Sequence, residues 1–572
     1  MYFCRLLSLT MKKIFLLLFI LTFQNIAFSQ NNVIEQVHTE LSKRKEAKIL
    51  IPKSEIKDIN LLSKTISLDY PKGEFWLGYV NEKQYKNFLT LNLKHRLFTE
   101  SYPKALTMAT NLSQMSSWDR YPTYLVYDSM MRRFAASYPN ICKLDTIGFS
   151  ERDSLILALK ISSDPYSDTD KPKFFYTSTM HGDEITGYVL MLRLADWLLS
   201  NYGIDQRATN IINSTQVYIN PLANPDGTYA YGNNSVTFAT RYNANAVDLN
   251  RNFPSIPNGL HADGENWQKE TLAFIAYADS NEFSISANLH GGAEVLNYPF
   301  DTYTSNSQSH ADANWFISVC QQFIDSISTL APSTFFRDVT HSGYTNGGDW
   351  YVVDGSRQDY QTYFKNSREI TFEVSSDKSL STTQLNNYWN YLKGGLISYI
   401  ETCQKGLQGY VRDSLTNEPV IAKIFINSHD AFNSEVYSKA STGYYYRPIQ
   451  SGIYSITYSA DRYYPKTIYN VNIASNSMNN QDVILAKIPD NLDETEDNKF
   501  LINIYPNPAK DLLRVSLPEN SNIFSYSIFN MLGIEITKGK INDINTDISI
   551  KNLNKGVYLI LLGGKTIKFI KE

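Results

Sequence analysis

Two places in the sequence carry residue types that can hold a catalytic metal ion. His181 and Glu184 lie three residues apart, and His290 precedes two glycines. One His-x-x-acid match is expected by chance in a chain of this composition, so the first pair alone predicts little. A catalytic zinc takes three protein ligands, often two His and one Glu, and keeps a fourth position open for water. With His290 as the third ligand, the set predicts a zinc site that can activate water.

The surrounding elements predict that these three residues meet at one edge of a sheet. The pattern favours a buried strand from Lys173 to Met180 and an amphipathic helix from Ile185 to Leu199, so His181 and Glu184 fall in a strand-to-helix turn. A second predicted strand, Ser284 to His290, ends at the third ligand. An α/β fold builds its site at the C-terminal edge of its sheet, which is where all three residues are expected.

Strand-like and helix-like runs alternate from about Trp118 to Cys403. Further strands are predicted at Gln216 to Leu222 and Glu369 to Val374, and further helices at Trp315 to Ile327 and Leu385 to Cys403. This alternation is typical of an α/β domain with a sheet between helices.

Four segments carry a family resemblance. In chain order they are TMHGDEITG (179–187), VDLNRNFP (247–254), ANLHGGAEVLNYPFD (287–301) and GYTNGGDWYVVDGSRQDYQTYFKNSREITFEVSSDK (343–378). They resemble the zinc metallocarboxypeptidases, in particular the branch of carboxypeptidases N, E, M and D. The resemblance covers residues 117–405 and implies a carboxypeptidase catalytic domain with one zinc ion. It also implies the fold, a mixed eight-stranded sheet flanked by helices.

The resemblance implies which residues act on the peptide bond. Glu373 matches the family's general base and proton shuttle. The family pattern Thr-x-Glu selects it through Thr371, whereas the residues alone do not separate it from Glu369, which is expected on the same face of the strand. Arg241 matches the arginine that polarises the scissile carbonyl and stabilises its oxyanion.

An enzyme that acts on chain ends must bind the terminal carboxylate. A guanidinium group can do so through two hydrogen bonds. Asn250 and Arg251 match the family pair with this role. Tyr351 matches the mobile tyrosine that closes over the substrate.

The resemblance also places a pocket for the departing side chain. Asp301 matches the acidic residue on which a preference for C-terminal Lys or Arg depends, and Gln358 matches the position at the base of the pocket. A carboxylate in a narrow pocket favours a basic side chain and rejects an acidic one. The alternative for Asp301 is that it caps a turn. Glu294 departs from the branch, which usually has an apolar residue there; it either adds negative charge near the pocket or faces solvent.

The N-terminal residues predict export. Lys12 and Lys13 precede an apolar run from Ile14 to Phe23, and small residues at Ala27 and Ser29 fit a cleavage site. This pattern predicts a signal peptide at 1–29, with Met11 as a more natural start than Met1. Residues 30–116 have mixed charge and weak periodicity, and are either an N-terminal extension or a pro-segment.

The C-terminal part predicts two small all-β sandwich domains. Residues 406–488 resemble the transthyretin-like module of the same branch, and residues 489–498 form an acidic linker. Residues 499–572, with YPNP at 505–508 and GVY at 556–558, resemble the C-terminal sorting domains of type IX secretion. This implies the type IX machinery as a partner, and a protein that is secreted or on the outer surface of a Gram-negative bacterium. Release and surface attachment stay open.

The composition excludes some classes of protein. Of 572 residues, 43% are hydrophobic and 19% are charged, and the net charge is −4. This is a globular balance without the basic excess that a nucleic-acid-binding protein needs. After loss of Cys4 with the signal peptide, Cys142, Cys320 and Cys403 remain, so at most one disulfide can form within the chain, and buried thiols are expected.

The sequence thus predicts a secreted zinc carboxypeptidase that acts on the C-termini of peptides and proteins and prefers Lys or Arg. Two alternatives share the fold: an amidase acting on peptidoglycan or on side chains, and a non-catalytic peptide-binding relative. The Asn250–Arg251 pair and Asp301 argue against removal of glutamate. Retention of all three ligands and of Glu373 argues against the non-catalytic alternative.

Overall fold

The computed structural model describes residues 30–99, 106–488, 502–517, 523, 525–530, 534–563 and 565–572. The predicted signal peptide and acidic linker lie outside the described residues. The chain divides into two compact units, of which the first ends at Lys487 and the second begins at Ile488. Within the described ranges, no helix is both long and apolar enough to cross a membrane.

Residues 30–99, called the N-terminal segment below, fold into a small sheet with helices. The strands, in sheet order, are Ser67–Lys72, Phe75–Val80, Ala47–Pro52 and Arg96–Leu97; the helices cover 30–44, Ile59–Thr65 and Glu82–Leu89. Asp58 accepts two backbone N–H groups at the start of its helix, and Asn81 begins the next helix with a capping box. Buried apolar side chains such as Ile49, Leu62 and Phe88 give the segment its own core.

A mixed eight-stranded sheet forms the framework of the first unit, which confirms the predicted fold class. Its strands, in sheet order, are Tyr344–Asn346, Ala293–Tyr298, Arg368–Ser375, Ile285–His290, Lys173–Ser178, Gln216–Asn220, Leu155–Ile161 and Cys142–Phe149. The third to sixth strands in this order run parallel to one another. The two strands at the Cys142 edge and the strand Ala293–Tyr298 pair antiparallel with the strand next to them toward the centre.

Helices flank this sheet: Tyr124–Ser137, Thr186–Ser200, Gln206–Ser214, Lys269–Asn281, Ala313–Asp325 and Thr382–Glu401. Side chains alternate between the faces of a strand. Phe174 and Tyr176 accordingly belong to one apolar cluster and Phe175 to another. The central strands are therefore covered on both faces, which is why they read as continuous apolar runs.

The residues from 406 to 488 form two four-stranded sheets around one apolar core. The strands are Gly406–Asp413, Lys423–Ile426, Val436–Tyr437, Tyr444–Arg447, Gly452–Ser459, Lys466–Ile473, Met478–Asn480 and Val483–Leu485. Arg447, which is fully buried, binds Asp430 at 2.5 Å and Asp312 at 2.7 Å. Since Asp312 precedes the helix Ala313–Asp325, this ion pair joins the β-rich part of the unit to the part with the central sheet.

The second unit is also built of strands. Among its described residues they are Asn503–Tyr505, Leu512–Ser516, Ser525–Asn530, Glu535–Lys540, Asn545–Ser549, Gly556–Leu562 and Lys565–Lys571, arranged in two sheets. Leu513, Ile528, Ile560 and Phe569 are among the buried residues of its core.

The three cysteines that remain beyond the predicted signal peptide are free thiols. Cys142, Cys320 and Cys403 are all buried, as expected from the sequence. Burial raises the pKa of the Cys142 thiol to about 12, so these thiols are poor nucleophiles in the folded chain.

Candidate active site and metal centre

Three parallel strands end at one edge of the central sheet and bring the predicted ligands together. His290 is the last residue of Ile285–His290 and pairs in register with Glu373 on Arg368–Ser375. His181 and Glu184 follow Lys173–Ser178, in the turn before the helix that begins at Thr186. The turn is tight at Gly182, where a Cβ would lie 2.3 Å from the backbone of Gly227.

The three candidate ligands present their electron pairs to one point. His181 Nδ1 lies 3.0 Å from Glu184 Oε1, His290 Nδ1 lies 2.8 Å from Glu184 Oε2, and the two Nδ1 atoms are 3.0 Å apart. Two imidazole nitrogens that face each other this closely cannot both carry a proton. Tetrahedral zinc bonds of about 2.0–2.1 Å would separate ligand atoms by about 3.3 Å. The donor set therefore fits one zinc ion after a small adjustment.

The outer nitrogen of each imidazole has a hydrogen-bond partner. His181 Nε2 contacts Asp248 Oδ1 at 3.0 Å, and His290 Nε2 contacts Asn288 Oδ1. A proton held at Nε2 leaves the Nδ1 electron pair for the metal. Burial lowers the pKa of His290 to about 4, which keeps this ring neutral.

Sequence reasoning missed Asp248, although it lies in the segment VDLNRNFP. The signal was present: a metal-binding His needs a second acceptor, and a carboxylate two residues before Asn250 is a candidate. Asp248 also accepts a 3.0 Å hydrogen bond from Arg241 Nε, while Arg241 Nη1 donates to Glu184 Oε1 at 3.3 Å. The predicted arginine thus lies directly beside a candidate ligand.

The two glutamates of Arg368–Ser375 have different surroundings. Glu369 is fully buried, accepts hydrogen bonds from Ser286 and Asn288, and pairs with Arg357 at 3.1 Å. Glu373 lines the cavity that holds the candidate ligands, and its Oε2 has no hydrogen-bond partner among the described residues. Burial, and then the Glu184 carboxylate, raise the pKa of Glu373 well above its usual range.

Asn250 and Arg251 lie on another wall of the same cavity. Asn250 Oδ1 accepts the backbone N–H of Arg357 at 2.9 Å, which leaves its amide nitrogen as the group that can donate. The Nε of Arg251 is buried and finds no partner among the described residues. Gly355, at φ +74°, passes so close that a Cβ there would lie 2.4 Å from Arg251 O. Arg251 Nη1 donates to Asn250 O at 2.9 Å, so the fold pairs one nitrogen of this guanidinium and leaves Nε unpaired.

Asp301 also lines this cavity, and it is bound by Gln358, which is buried and is not one of the lining residues. Gln358 Nε2 donates to Asp301 Oδ1 at 2.8 Å, and Gln358 Oε1 accepts the backbone N–H of Thr371 at 2.7 Å. Burial, and then the neighbouring Asp359 carboxylate, raise the pKa of Asp301 well above its usual range. The carboxyl therefore lacks a full counter-charge from the side chains around it.

Both expectations for Glu294 were wrong. Its side chain is buried, with Oε1 accepting from Tyr388 at 2.8 Å and Oε2 from the backbone of Phe336 at 3.3 Å. The strand's alternation turns this side chain away from the cavity, which is lined instead by Ala293 and Asn297.

Tyr351 lines the cavity, and its hydroxyl donates to the backbone oxygen of Leu68 at 3.3 Å. Lys378, which sequence reasoning also missed, lies 3.0 Å from Glu184 Oε1 and 3.1 Å from Asp69 Oδ2. Leu68 and Asp69 belong to the N-terminal segment, so that segment reaches the metal centre. No sequence pattern indicates contacts between residues so far apart in the chain.

The sequence is similar to known proteins over much of the first unit. Residues 127–393 match the zinc carboxypeptidase family, whose members depend on zinc. The catalytic chain of carboxypeptidase N from Mus musculus is 32% identical over 379 residues, which cover 60% of this chain and 81% of that protein. This chain belongs to the zinc carboxypeptidase family. Its candidate ligands all lie inside the matched range.

Two further curated carboxypeptidases and one solved structure are also similar to this chain. Carboxypeptidase M from Mus musculus is 32% identical over 344 residues, covering 58% of this chain and 75% of that protein. Carboxypeptidase D from Homo sapiens is 33% identical over 364 residues, covering 60% of this chain, and this chain spans 25% of that relative's length. The structure of carboxypeptidase A from Helicoverpa armigera is 16% identical with a TM-score of 0.48, covering 62% of this chain and 98% of that one.

The tail matches a different family. Residues 503–572 match the secretion system C-terminal sorting domain. This is the type IX sorting domain, and its presence indicates secretion to the cell exterior or outer surface.

Proposed function

We propose that this chain is a zinc-dependent carboxypeptidase that removes the C-terminal residue of peptides and proteins. One observation carries the proposal. The cavity that holds the three candidate ligands also holds two buried polar atoms without partners among the described residues, Glu373 Oε2 and Arg251 Nε. Hydrolysis at a chain end needs an activated water, a base and a cation for the terminal carboxylate. In this family zinc activates the water. Glu373 Oε2 fits the role of the base, and Arg251, to which the unpaired Nε belongs, fits the role of the cation.

In this proposal His181, Glu184 and His290 hold the ion. Zinc, when bound, supplies Lewis acidity and brings the pKa of water toward neutrality. Glu373 Oε2 accepts the proton of the attacking water and passes it to the departing amine. Burial and the Glu184 carboxylate raise the pKa of Glu373 above its usual range, which makes it a stronger proton acceptor than an exposed carboxylate.

The remaining charged groups bind and orient the substrate. Arg251, with the amide nitrogen of Asn250, binds the terminal carboxylate and so restricts cleavage to the last peptide bond. Arg241 turns from Glu184 toward the scissile carbonyl and stabilises the charge that develops there. Tyr351 closes over the bound residue.

We further propose a preference for C-terminal Lys and Arg. Asp301 is a buried carboxyl that a basic side chain would neutralise, and Gln358 holds it in place at 2.8 Å. An apolar side chain would leave this buried carboxyl without a counter-charge, which costs more than the roughly 1–3 kcal/mol of a missing methylene. The similarity of this chain to carboxypeptidases N, M and D is consistent with this preference.

We also propose that the tail directs export by the type IX machinery of a Gram-negative bacterium. The support is the sorting-domain match over 503–572 together with the signal-like N-terminus. Detection of the chain in the medium or on the outer surface, and its retention in the cell when the tail is removed, would test this.

Metal content tests the core of the proposal independently of turnover. Zinc-loaded, desalted full-length chain is expected to hold one zinc by elemental mass spectrometry, and His290→Ala to lose it. His261→Ala, outside the cavity, is the matched control and should keep it. Equal zinc retention in His290→Ala would contradict the ligand set, and full peptidase activity in metal-free protein would contradict the proposed chemistry.

A further inference from the structure

Two segments of the chain build the proposed pocket for the departing side chain. Residues 300–303 carry Asp301, and residues 357–364 carry Gln358 and Asp359. Hydrogen bonds tie the two segments together: the Asp359 carboxylate accepts the backbone N–H groups of Asp301 and of the residue after it, both at 2.8 Å. A change in the separation of the segments would therefore move Asp301 relative to Gln358.

One ring from the β-rich part, residues 406–488, contacts both of these segments. Phe432 packs against Tyr363, with ring centroids 4.7 Å apart. It also packs edge-on against Phe300 at 5.5 Å and Tyr303 at 5.9 Å, and such contacts stabilise aromatic rings beyond the area that they bury. Phe300, which is fully buried, directly precedes the pocket carboxylate. Phe432 therefore bridges the two segments that carry the pocket.

The loop around Phe432 has a strained backbone. Phe432 and Asn433 have φ angles of +53° and +61°, in the left-handed region that is unfavourable for a bulky side chain. Hydrogen bonds hold the loop in this conformation: Ser434 Oγ accepts the N–H of Ala431 at 3.0 Å and donates to Asp430 Oδ1 at 3.2 Å. Strain that the surroundings maintain in this way is typical of residues whose placement serves a function.

The residues after Phe432 are fixed to the central-sheet part of the unit. Asn366 Nδ2 donates to the backbone oxygen of Asn433 at 2.8 Å, and Arg368 Nη2 donates to that of Ser434. Both donors follow the second pocket segment closely in the chain. A shift of the loop would therefore also shift the pocket.

We infer that the β-rich part contributes to substrate preference, with Phe432 as a positioning residue that holds Asp301 and Gln358 at the separation at which they bind a basic side chain. Phe432 is not among the residues that line the cavity, so it acts through the two segments and not on the substrate. Without its ring the segments would be free to separate, and the Asp301 carboxyl would no longer be fixed toward a bound cation. The inference rests on the proposed function for the nature of the ligand, a C-terminal Lys or Arg.

Hydrogen exchange tests the positioning without peptide or turnover. The full-length, zinc-loaded chain with Phe432→Ala is compared with the native chain. The backbone N–H groups of Asp301 and Thr302, which donate to Asp359, are expected to exchange at least about tenfold faster in the variant. The strand Ile285–His290 should exchange at its native rate, which would show that the central sheet is intact.

Phe425→Ala is the matched control. It makes the same substitution at another partly exposed position of the β-rich part, where the ring lies 5.5 Å from Lys423 Nζ. It should leave exchange at Asp301 and Thr302 unchanged.

Substrate preference is then measured as binding. The chains also carry Glu373→Gln, which is expected to keep zinc and to stop turnover. Calorimetry gives the dissociation constants of two peptides that differ only in ending with Arg or with Leu. With Phe432→Ala we expect the Arg-ending peptide to bind at least about fivefold more weakly, on the scale of one lost aromatic pair, and the Leu-ending peptide to bind as before. A merely structural effect would weaken both alike and leave the ratio of the two constants unchanged.

Faster exchange at Asp301 and Thr302 together with a lower preference for the Arg-ending peptide supports the inference. Unchanged exchange there would overturn it, and so would faster exchange with an unchanged ratio of the dissociation constants. If Phe432→Ala does not fold, Phe432→Leu replaces it, with the same direction of change expected. Binding of neither peptide to the chain with native Phe432 would contradict the proposed function instead, and the exchange result alone would then decide whether Phe432 holds the pocket.

Discussion

Glu369 and Glu373 lie on the same strand, and their different surroundings suit Glu369 to a structural role and Glu373 to a catalytic one. Glu369 is paired with Arg357 and is part of the buried framework, whereas the Oε2 of Glu373 has no partner among the described residues. We expect Glu373→Gln to keep its zinc and to lose at least about 10²-fold in kcat, since only the proton-accepting group is removed. Zinc content and kcat are measured on the same sample.

Glu369→Gln is the matched control for this prediction. It leaves the buried Arg357 cation without its carboxylate and should lower stability by about 3–5 kcal/mol, seen as a lower Tm. A Glu373→Gln chain that loses its zinc would mean that Glu373 is a ligand and not the base.

The raised pKa of Asp301 predicts that the preference for a C-terminal Arg over a C-terminal Leu depends on pH. Burial and Asp359 raise the pKa of Asp301, so part of the population is protonated at pH values where an ordinary Asp is ionised. A C-terminal Arg binds the ionised form and must displace that proton, whereas a C-terminal Leu does not. The ratio of kcat/KM for Arg-ending over Leu-ending peptides should therefore rise with pH through the raised pKa and level off above it.

The isosteric Asp301→Asn is the control, and its ratio should be low and flat with pH. A wild-type ratio that is flat over the same range, or unchanged in Asp301→Asn, would remove Asp301 from the pocket.

At the scale of elements, the buried ion pairs of Arg447 join the β-rich residues 406–488 to the central-sheet part of the unit. Arg447→Met leaves the Asp430 carboxylate buried without its cation and should cost about 3–5 kcal/mol in the free energy of unfolding. Arg412→Met, near the surface of the same β-rich part, should stay within about 0.5 kcal/mol. Equal effects of the two substitutions in thermal unfolding would contradict this account.

The same pair predicts a response to acid. Although burial opposes it, the Arg447 guanidinium lowers the pKa of Asp430 to about 2. A carboxyl whose folded pKa is depressed contributes stability above its unfolded pKa, and that contribution is lost as the pH falls toward the folded value. The chain should therefore lose stability below about pH 4, and this part of the loss should be absent in Arg447→Met.

The sequence predicted the central elements well because they are buried on both faces. The strand predicted at 284–290 is observed at Ile285–His290, and the helix predicted at 185–199 is observed at Thr186–Ser200. Because an α/β fold builds its site at the C-terminal edge of its sheet, the three candidate ligands could be expected to meet there. The N-terminal segment was not predicted, because its strands are short and one side of its sheet binds the rest of the unit through polar residues. Asp69 and Lys378 become neighbours only by that docking.

At the scale of the whole molecule, the tail forms a compact unit of its own after Lys487. A chain that ends at residue 490 should keep the kcat/KM of the full chain, because every residue of the candidate site lies before it. A truncated chain that folds but is inactive would assign the tail to the catalytic unit.

The central claim is that the chain removes one residue from a free C-terminus, and a matched pair of peptides tests it most directly. One peptide ends in arginine with a free carboxylate; the other is identical but amidated. Each is incubated with the zinc-loaded chain, and the products are identified by mass spectrometry. We expect loss of a single arginine from the free acid and no cleavage of the amide, because Arg251 has no carboxylate to bind there. Equal cleavage of both peptides, or no cleavage of either, would contradict the account.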